Sequence, residues 1–167
     1  MDKIEELIKC ISNCEGGDYI SKITSLGLTK EDFEGKINFS NTKYTRTKIA
    51  REKDFELILL GWSKGQKTAI HNHNGSEGFV YMLDGKLEEV TYTLNPETNE
   101  LAKNGDGVII TNQVAYAEND KNEYHSIENV RNGESLSLHL YRKPIDSCMV
   151  YDEKSDEIIE RELVYDF

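Results

Sequence analysis

From about Asn41 onward the sequence is a succession of short β-type runs cut by turn signals, and this cadence restricts the fold more than any other feature. Turns are read at Asp84-Gly85, Asn95-Pro96, Asn104-Gly105-Asp106-Gly107 and Arg131-Asn132-Gly133, where residues that tolerate or preset a bent backbone cluster. Between them lie Phe55–Trp62, Gly78–Leu83, Leu87–Leu94, Val108–Thr111 and Ser135–Tyr141. Many strands at this spacing predict an antiparallel sandwich or barrel of the jelly-roll kind. Both prolines, Pro96 and Pro144, fall at breaks between runs.

The preceding residues have a helical period. Ile4, Leu7, Ile8 and Ile11 follow the i, i+3, i+4, i+7 pattern over residues 3–14, with Asp2 as cap, Glu5 three residues on and Gly16-Gly17 as the stop. A second short helix fits Asp18 to Leu26 and stops at Gly27, and Thr29-Lys30-Glu31-Asp32 looks like another helix start. A chain of 167 residues is enough for one domain with a core. The expected organisation is therefore a single domain over 1–167, with small helices over 1–40 covering one side of a β-barrel over 41–167.

Charge and composition exclude several functions. The formal net charge is −11, which repels a phosphate backbone, and no basic patch with interleaved aromatics is present, so nucleic acid is not an expected partner. No apolar run approaches the roughly 20 residues of a membrane span. The start Met1-Asp2-Lys3-Ile4-Glu5-Glu6 lacks the basic and apolar segments of a signal peptide, so a cytoplasmic protein is expected; a monomer is expected as well. The acidic run from Asp152 to Asp166 reads as solvated surface. Cys10, Cys14 and Cys148 are an odd set without a secretory signal, which argues for free thiols. Cys10 and Cys14, four apart, share a face if the helix includes both, and pack there rather than bind metal.

Chemistry concentrates in a few positions. His71 and His73 are two apart in β-type sequence, so both imidazoles can reach one point, which is a metal-binding arrangement. A third ligand has to come from elsewhere. His125, in Tyr124-His125-Ser126-Ile127-Glu128-Asn129, lies far along the chain, but barrel closure brings distant strands together. In Ser135–Tyr141 alternate residues separate: Leu136, Leu138 and Leu140 on one side, Ser137, His139 and Tyr141 on the other. The polar side is either a hydrogen-bond relay or a solvent face. Tyr44 and Arg46 likewise share a face. Arg46 is either an exposed edge residue or a carboxylate contact of the bidentate kind that arginine favours.

Taken in order, these pieces resemble a known family. Gly65, His71-Asn72-His73, Gly85 and His125-Ser126-Ile127-Glu128-Asn129 resemble the two metal motifs of the cupin superfamily. More narrowly the chain resembles the cysteine dioxygenases. The matching pieces include Tyr44-Thr45-Arg46, Trp62, Met82-Leu83-Asp84-Gly85-Lys86-Leu87, Asn112-Gln113-Val114-Ala115-Tyr116, Ser137-Leu138-His139-Leu140-Tyr141 and Pro144-Ile145-Asp146-Ser147-Cys148, in order from about Tyr44 to Cys148. The resemblance implies a mainly β cupin jelly-roll and a mononuclear iron(II), Fe(II), held by His71, His73 and His125. It implies L-cysteine and O2 as substrates and cysteine sulfinic acid as product. By the same resemblance Arg46 and Tyr44 hold the substrate carboxylate, and Tyr141 sits beside bound substrate, oriented by His139 and Ser137. Trp62 then matches a packing residue behind the site, and Cys148 a thiol near the substrate entrance. The alternatives kept open are a 3-mercaptopropionate or other small-thiol dioxygenase, and a non-catalytic metal-binding cupin.

Three departures from the family pattern carry expectations. The general cupin motif has a glutamate ligand after the histidine pair, but spacing from Gly85 puts that position at Gly78, so Glu77 is expected to point away unless a bulge at Gly75 or Gly78 intervenes. Gly78 also replaces the cysteine that the animal enzymes join to the tyrosine matching Tyr141. The chain is thus similar to bacterial members with an unlinked tyrosine. Finally, Arg142-Lys143-Pro144 stands where the family has Ser-Pro-Pro, which implies a trans bond at Lys143, an altered loop and two extra cations near the pocket.

Overall fold

The computed structural model describes residues 2–14 and 18–167. Its elements are helices α1 (Lys3–Ser12) and α2 (Tyr19–Ser25), a 3-10 turn (Lys30–Phe33), and ten strands. The strands are β1 (Thr45–Arg51), β2 (Glu56–Trp62), β3 (Glu77–Asp84), β4 (Lys86–Leu94), β5 (Leu101–Ile110), β6 (Val114–Ala117), β7 (Glu123–Asn129), β8 (Ser135–Arg142), β9 (Ser147–Asp152) and β10 (Glu157–Glu162). The expected mainly β fold with a small helical start is thus present.

One sheet has the order β1-β2-β8-β3-β6, and all of its pairings are antiparallel. Opposite it lie the ladders β5-β4-β7 and β10-β9. The segment before β3 joins them: His71 bridges to His125 on one side and to Val150 on the other. The non-sequential order is what lets residues from distant parts of the chain meet inside.

The central strands β2 and β8 are buried on both faces, which is why Leu57-Ile58-Leu59-Leu60 is a continuous apolar run rather than an alternating one. Leu57, Leu59, Leu136, Leu138 and Leu140 pack outward against Ile4, Leu7, Ile11 and Phe33 of the helical region. Ile58, Leu60, Trp62, Val80, Met82 and Ile127 pack inward. Each fully buried aliphatic side chain contributes about 1.5–3 kcal/mol, so the helices cover the sheet as expected and the interior face is left for the site. Asp2 caps α1 by accepting from the Ile4 amide at 3.1 Å, and Thr29 with Asp32 forms a capping box on the 3-10 turn.

Several sequence expectations are corrected. The stop at Gly16-Gly17 lies outside the described residues. Cys14 lies beyond the end of α1, so it does not share a helical face with Cys10; it is buried, with Lys22 Nζ 3.3 Å from its sulfur. Asn104-Gly105-Asp106-Gly107 is no turn but the middle of β5, where the register with β4 shifts at Asn104. Pairing with β4 along its length outweighs local turn preference there. The turn read at Asp84-Gly85 is present, but it joins β3 and β4 of different sheets rather than two paired strands. Gly85, at φ +105°, makes that crossing, and a Cβ there would lie 2.2 Å from Ser135 Oγ. The acidic run is only partly solvated surface. Past β10 the chain returns to β1, where Asp166 accepts from the Arg46 amide at 2.9 Å and donates its own amide to the Arg46 carbonyl at 2.8 Å.

Candidate metal centre

His71, His73 and His125 each offer one ring nitrogen to a common point, and these atoms all lie within 4.8 Å of one another. The fold produces this in two ways. His71 and His125 are backbone partners, exchanging N–H···O bonds of 2.9 and 2.8 Å. His73 is two residues further along, on the same side as His71, while Asn72 between them points away. The buried Asn72 amide donates to the Lys121 carbonyl at 3.0 Å and its oxygen accepts from the Met149 amide at 2.9 Å, which fixes the direction of the whole His-Asn-His segment.

The hydrogen-bond network assigns the tautomers. His71 Nδ1 is 2.9 Å from the Ala69 carbonyl, and His125 Nδ1 is 2.8 Å from Glu89 Oε2. Both Nδ1 atoms therefore carry the proton, and both Nε2 atoms present bare lone pairs 3.2 Å apart. Two lone pairs at that distance repel unless a cation lies between them. Burial, reinforced by His125, lowers the pKa of His71 to about 3, so it is neutral and fit to ligate. Burial lowers His73 well below its ordinary value as well. The donor set thus fits a divalent transition metal with positions left open for other ligands.

No carboxylate joins the three imidazoles among the described residues. Glu77 faces the other way and accepts from the Tyr116 hydroxyl at 3.1 Å. Gly78 stands next to the histidines instead: a Cβ on it would lie 3.0 Å from His73 Nδ1 and 3.5 Å from Tyr141. The expectation of three histidines without glutamate agrees with this geometry.

The polar side of β8 turns inward and is no solvent face. Ser137 and His139 are buried. The Trp62 indole, a donor only, donates to Ser137 Oγ at 2.9 Å, which leaves the Ser137 hydroxyl to donate to His139 Nε2 at 2.8 Å. Burial lowers the His139 pKa to about 3, assisted by His125 and Arg46. Tyr141 stands 5.2 Å from His73, ring to ring, and burial pushes its phenol above the ordinary range despite the opposing pull of Arg46. It remains a protonated donor at neutral pH.

Tyr44 stacks on Trp62 at 4.7 Å. Tyr44, Arg46, Cys148, Tyr141 and the three histidines line one cavity of about 70 Å³, so the structure brings all the sequence-predicted site residues together, with Trp62 and Ser137 behind the wall. Burial raises the Cys148 thiol pKa, so it is neutral. The expectation of two extra cations near the pocket is corrected for Arg142. Adjacent to the inward Tyr141, it points outward and lies over the Tyr19 ring at 4.0 Å. Among the described residues there is no cis peptide bond; Lys143 has φ +113°, and its carbonyl accepts from Ser76 Oγ at 2.8 Å.

Glu89 and Asn72 were missed at the sequence level. The signal for Glu89 was its place two residues after Leu87 in a strand, on the same face as a fully buried leucine. Arg161, which also lines the cavity, was hidden in the acidic run.

The fold and the three-imidazole centre define a cupin, a double-stranded β-helix protein with an internal metal site. A Klebsiella pneumoniae protein with a double-stranded β-helix domain superposes with a TM-score of 0.52 at 14% identity, covering 66% of this chain and 85% of that one. A protein from Thermus thermophilus does so with a TM-score of 0.54 at 16% identity, covering 66% and 93%. Residues 20–154 match the family model for cysteine dioxygenase type I. The chain is 35% identical to human cysteine dioxygenase type 1 over 91% of its own length and 80% of the relative's. It is 29% identical to the zebrafish protein of that name, Danio rerio, over 92% and 81%. The chain belongs to the cysteine dioxygenase type I family.

Proposed function

We propose that this chain is an iron(II)-dependent cysteine dioxygenase that adds both atoms of O2 to the sulfur of L-cysteine, giving cysteine sulfinic acid. The observation that carries this reading is a small cavity lined at once by three convergent imidazoles and by Arg46, whose guanidinium forms no salt bridge among the described residues. When bound by His71, His73 and His125, iron(II) supplies a redox-active centre that takes the thiolate and activates dioxygen.

The chain's own residues do the rest. Arg46 receives the substrate carboxylate, a charge-assisted contact worth on the order of 2 kcal/mol, and Tyr44 supports it from its stack on Trp62. Fixing the carboxylate fixes the position of the sulfur, which is chiefly an orientation effect. Tyr141 donates a hydrogen bond into the cavity, and the Trp62–Ser137–His139 series holds the neighbouring imidazole in one tautomer. Cys148 closes the wall as a neutral thiol. A cavity of about 70 Å³ limits the occupant to a small molecule. We read the chain as a single-domain monomer acting in the cytoplasm; no helix among the described residues is long and apolar enough to cross a membrane.

The test loads the protein with iron(II), supplies L-cysteine and 3-mercaptopropionate separately, and follows oxygen uptake and product mass. Uptake with L-cysteine and a product heavier by two oxygen atoms is expected. No uptake with either thiol would overturn the enzyme reading, and uptake with 3-mercaptopropionate alone would move the substrate. Arg46→Ala is expected to raise the cysteine KM by about thirtyfold, the equivalent of about 2 kcal/mol.

A further inference from the structure

The wall of the cavity contains a second guanidinium. Arg161 on β10 pairs across the ladder with Cys148 on β9, so the two side chains share a face. That face turns inward: Cys148, Val150, Arg161 and Leu163 all line the cavity. Among the described residues the arginine ion pairs are those of Arg51 and Arg131. Arg46 and Arg161 form none, in a chain of net charge −11. Two unpaired cations facing one small cavity in so acidic a protein require a reason.

The two differ in depth. Arg46 is half-buried, and its charge bears on Tyr44, Cys148, His71, His139 and Tyr141. Arg161 is exposed, and its charge bears on Tyr44 and Cys148, at the outer end. It also borders a larger outer groove of about 450 Å³, which shares Thr68, Ala69 and Arg161 with the cavity. Among that groove's other charged residues, Glu88, Glu128, Asp152 and Glu153 face only Lys67 and Lys154. Of the groove's cations, Arg161 is the one that also lines the cavity, so a carboxylate that has passed the four acids finds its partner there.

We propose that Arg161 is the capture residue for the substrate's carboxylate: it receives the carboxylate end of the zwitterionic thiol where the acidic groove meets the cavity and passes it inward to Arg46. The proposal rests on the dioxygenase reading above. Arg161 contributes to capture and selection, and Arg46 to the final pose, so removing Arg161 alters KM and leaves kcat at saturation alone.

The experiment compares Arg161→Ala, Arg161→Lys and the unsubstituted iron-loaded protein with L-cysteine and with cysteamine, which has the thiol and amine but no carboxylate, at low and high salt. Anaerobic calorimetric titration of the same ligands reads binding apart from turnover. Arg161→Ala is expected to raise KM and Kd for L-cysteine roughly fivefold to tenfold at low salt. The difference shrinks at high salt, kcat is unchanged, cysteamine is unaffected and Arg161→Lys is largely restored. Equal losses with both ligands, a kcat effect at constant KM, or no change with L-cysteine would each overturn the proposal. Failure of the unsubstituted protein to oxidise L-cysteine would instead overturn the reading it rests on, and the titration arm would still judge carboxylate capture.

Discussion

Glu89 Oε2 accepts the Nδ1 proton of His125 at 2.8 Å. A residue on β4 that touches no ligand position thereby decides which nitrogen of His125 faces the centre. His71 obtains the same assignment from a backbone carbonyl, which no substitution can remove. Of the two, only the His125 anchor can be changed by mutation.

Glu89→Ala should therefore weaken metal binding by about 10- to 100-fold, the usual effect of losing the carboxylate behind a ligating histidine. Glu89→Gln, which keeps an accepting oxygen without the charge, should lose less. Competition against a chelator of known affinity under anaerobic conditions measures both. An affinity for iron(II) or cobalt(II) unchanged in Glu89→Ala would mean that ring packing alone orients His125.

Gly78→Ala tests the space where other cupins place a carboxylate. The added methyl would lie 3.0 Å from two atoms of the His73 ring, so the ring must give by a few tenths of an ångström. Gly78 has no positive φ, so the backbone accepts alanine and the fold should survive. The cost falls on geometry: kcat for oxygen uptake should drop about tenfold, since displacements well below 1 Å matter in a positioned site. Circular dichroism should show an unchanged melting temperature within a few degrees. An undiminished kcat would show slack in the His73 position.

What the sequence revealed and what it hid follow from the range of the interactions. The alternation in Ser135–Tyr141 was legible because a strand's period is local, and it correctly placed Ser137, His139 and Tyr141 on one side. Whether that side met water was not legible, since it depends on the β5-β4-β7 and β10-β9 ladders lying across from the sheet that holds β8. His71 and His73 were legible as a pair for the same local reason. Glu89 was not, because its partner lies 36 residues away. The β5 region was misread because Asn-Gly and Asp-Gly favour turns locally, whereas the ladder to β4 decides. Arg161 and Tyr165 sat in a stretch whose average charge concealed individual inward residues.

The same concealment covers a structural network. Glu56, at 1% exposure, accepts from the Ile145 amide at 3.1 Å and from the Tyr165 hydroxyl, with Arg51 3.5 Å away. It ties β1, the approach to β9 and the final residues to one carboxylate. Glu56→Ala should destabilise the fold by about 2–3 kcal/mol, because it strands the buried Ile145 amide and the Tyr165 hydroxyl, whereas Arg51 keeps Asp146 at 2.6 Å. Tyr165→Phe should cost about 1 kcal/mol. Urea unfolding midpoints measure both. A loss below that of Tyr165→Phe in the alanine variant would remove Glu56 as the organising group.

His139 makes stability depend on pH in a predictable direction. Its folded pKa is lowered to about 3, by burial first and then by His125 and Arg46, whereas an unfolded histidine titrates near 6.5. Between those values the unfolded chain holds a proton that the folded one refuses. The contribution of His139 is therefore fully present above about pH 6.5 and declines as the pH falls toward 3, by about 1.4 kcal/mol per pH unit. His139→Gln keeps an acceptor for Ser137 and does not titrate. Metal-free protein should lose stability from pH 7 to pH 5, and the variant should lose less, the difference approaching one proton's slope. Because both proteins carry the same metal ligands and carboxylates, those contributions cancel in the comparison. Parallel curves of unfolding free energy against pH would show that His139 accepts a proton in the folded state, and the Ser137–His139 bond could then no longer fix its tautomer.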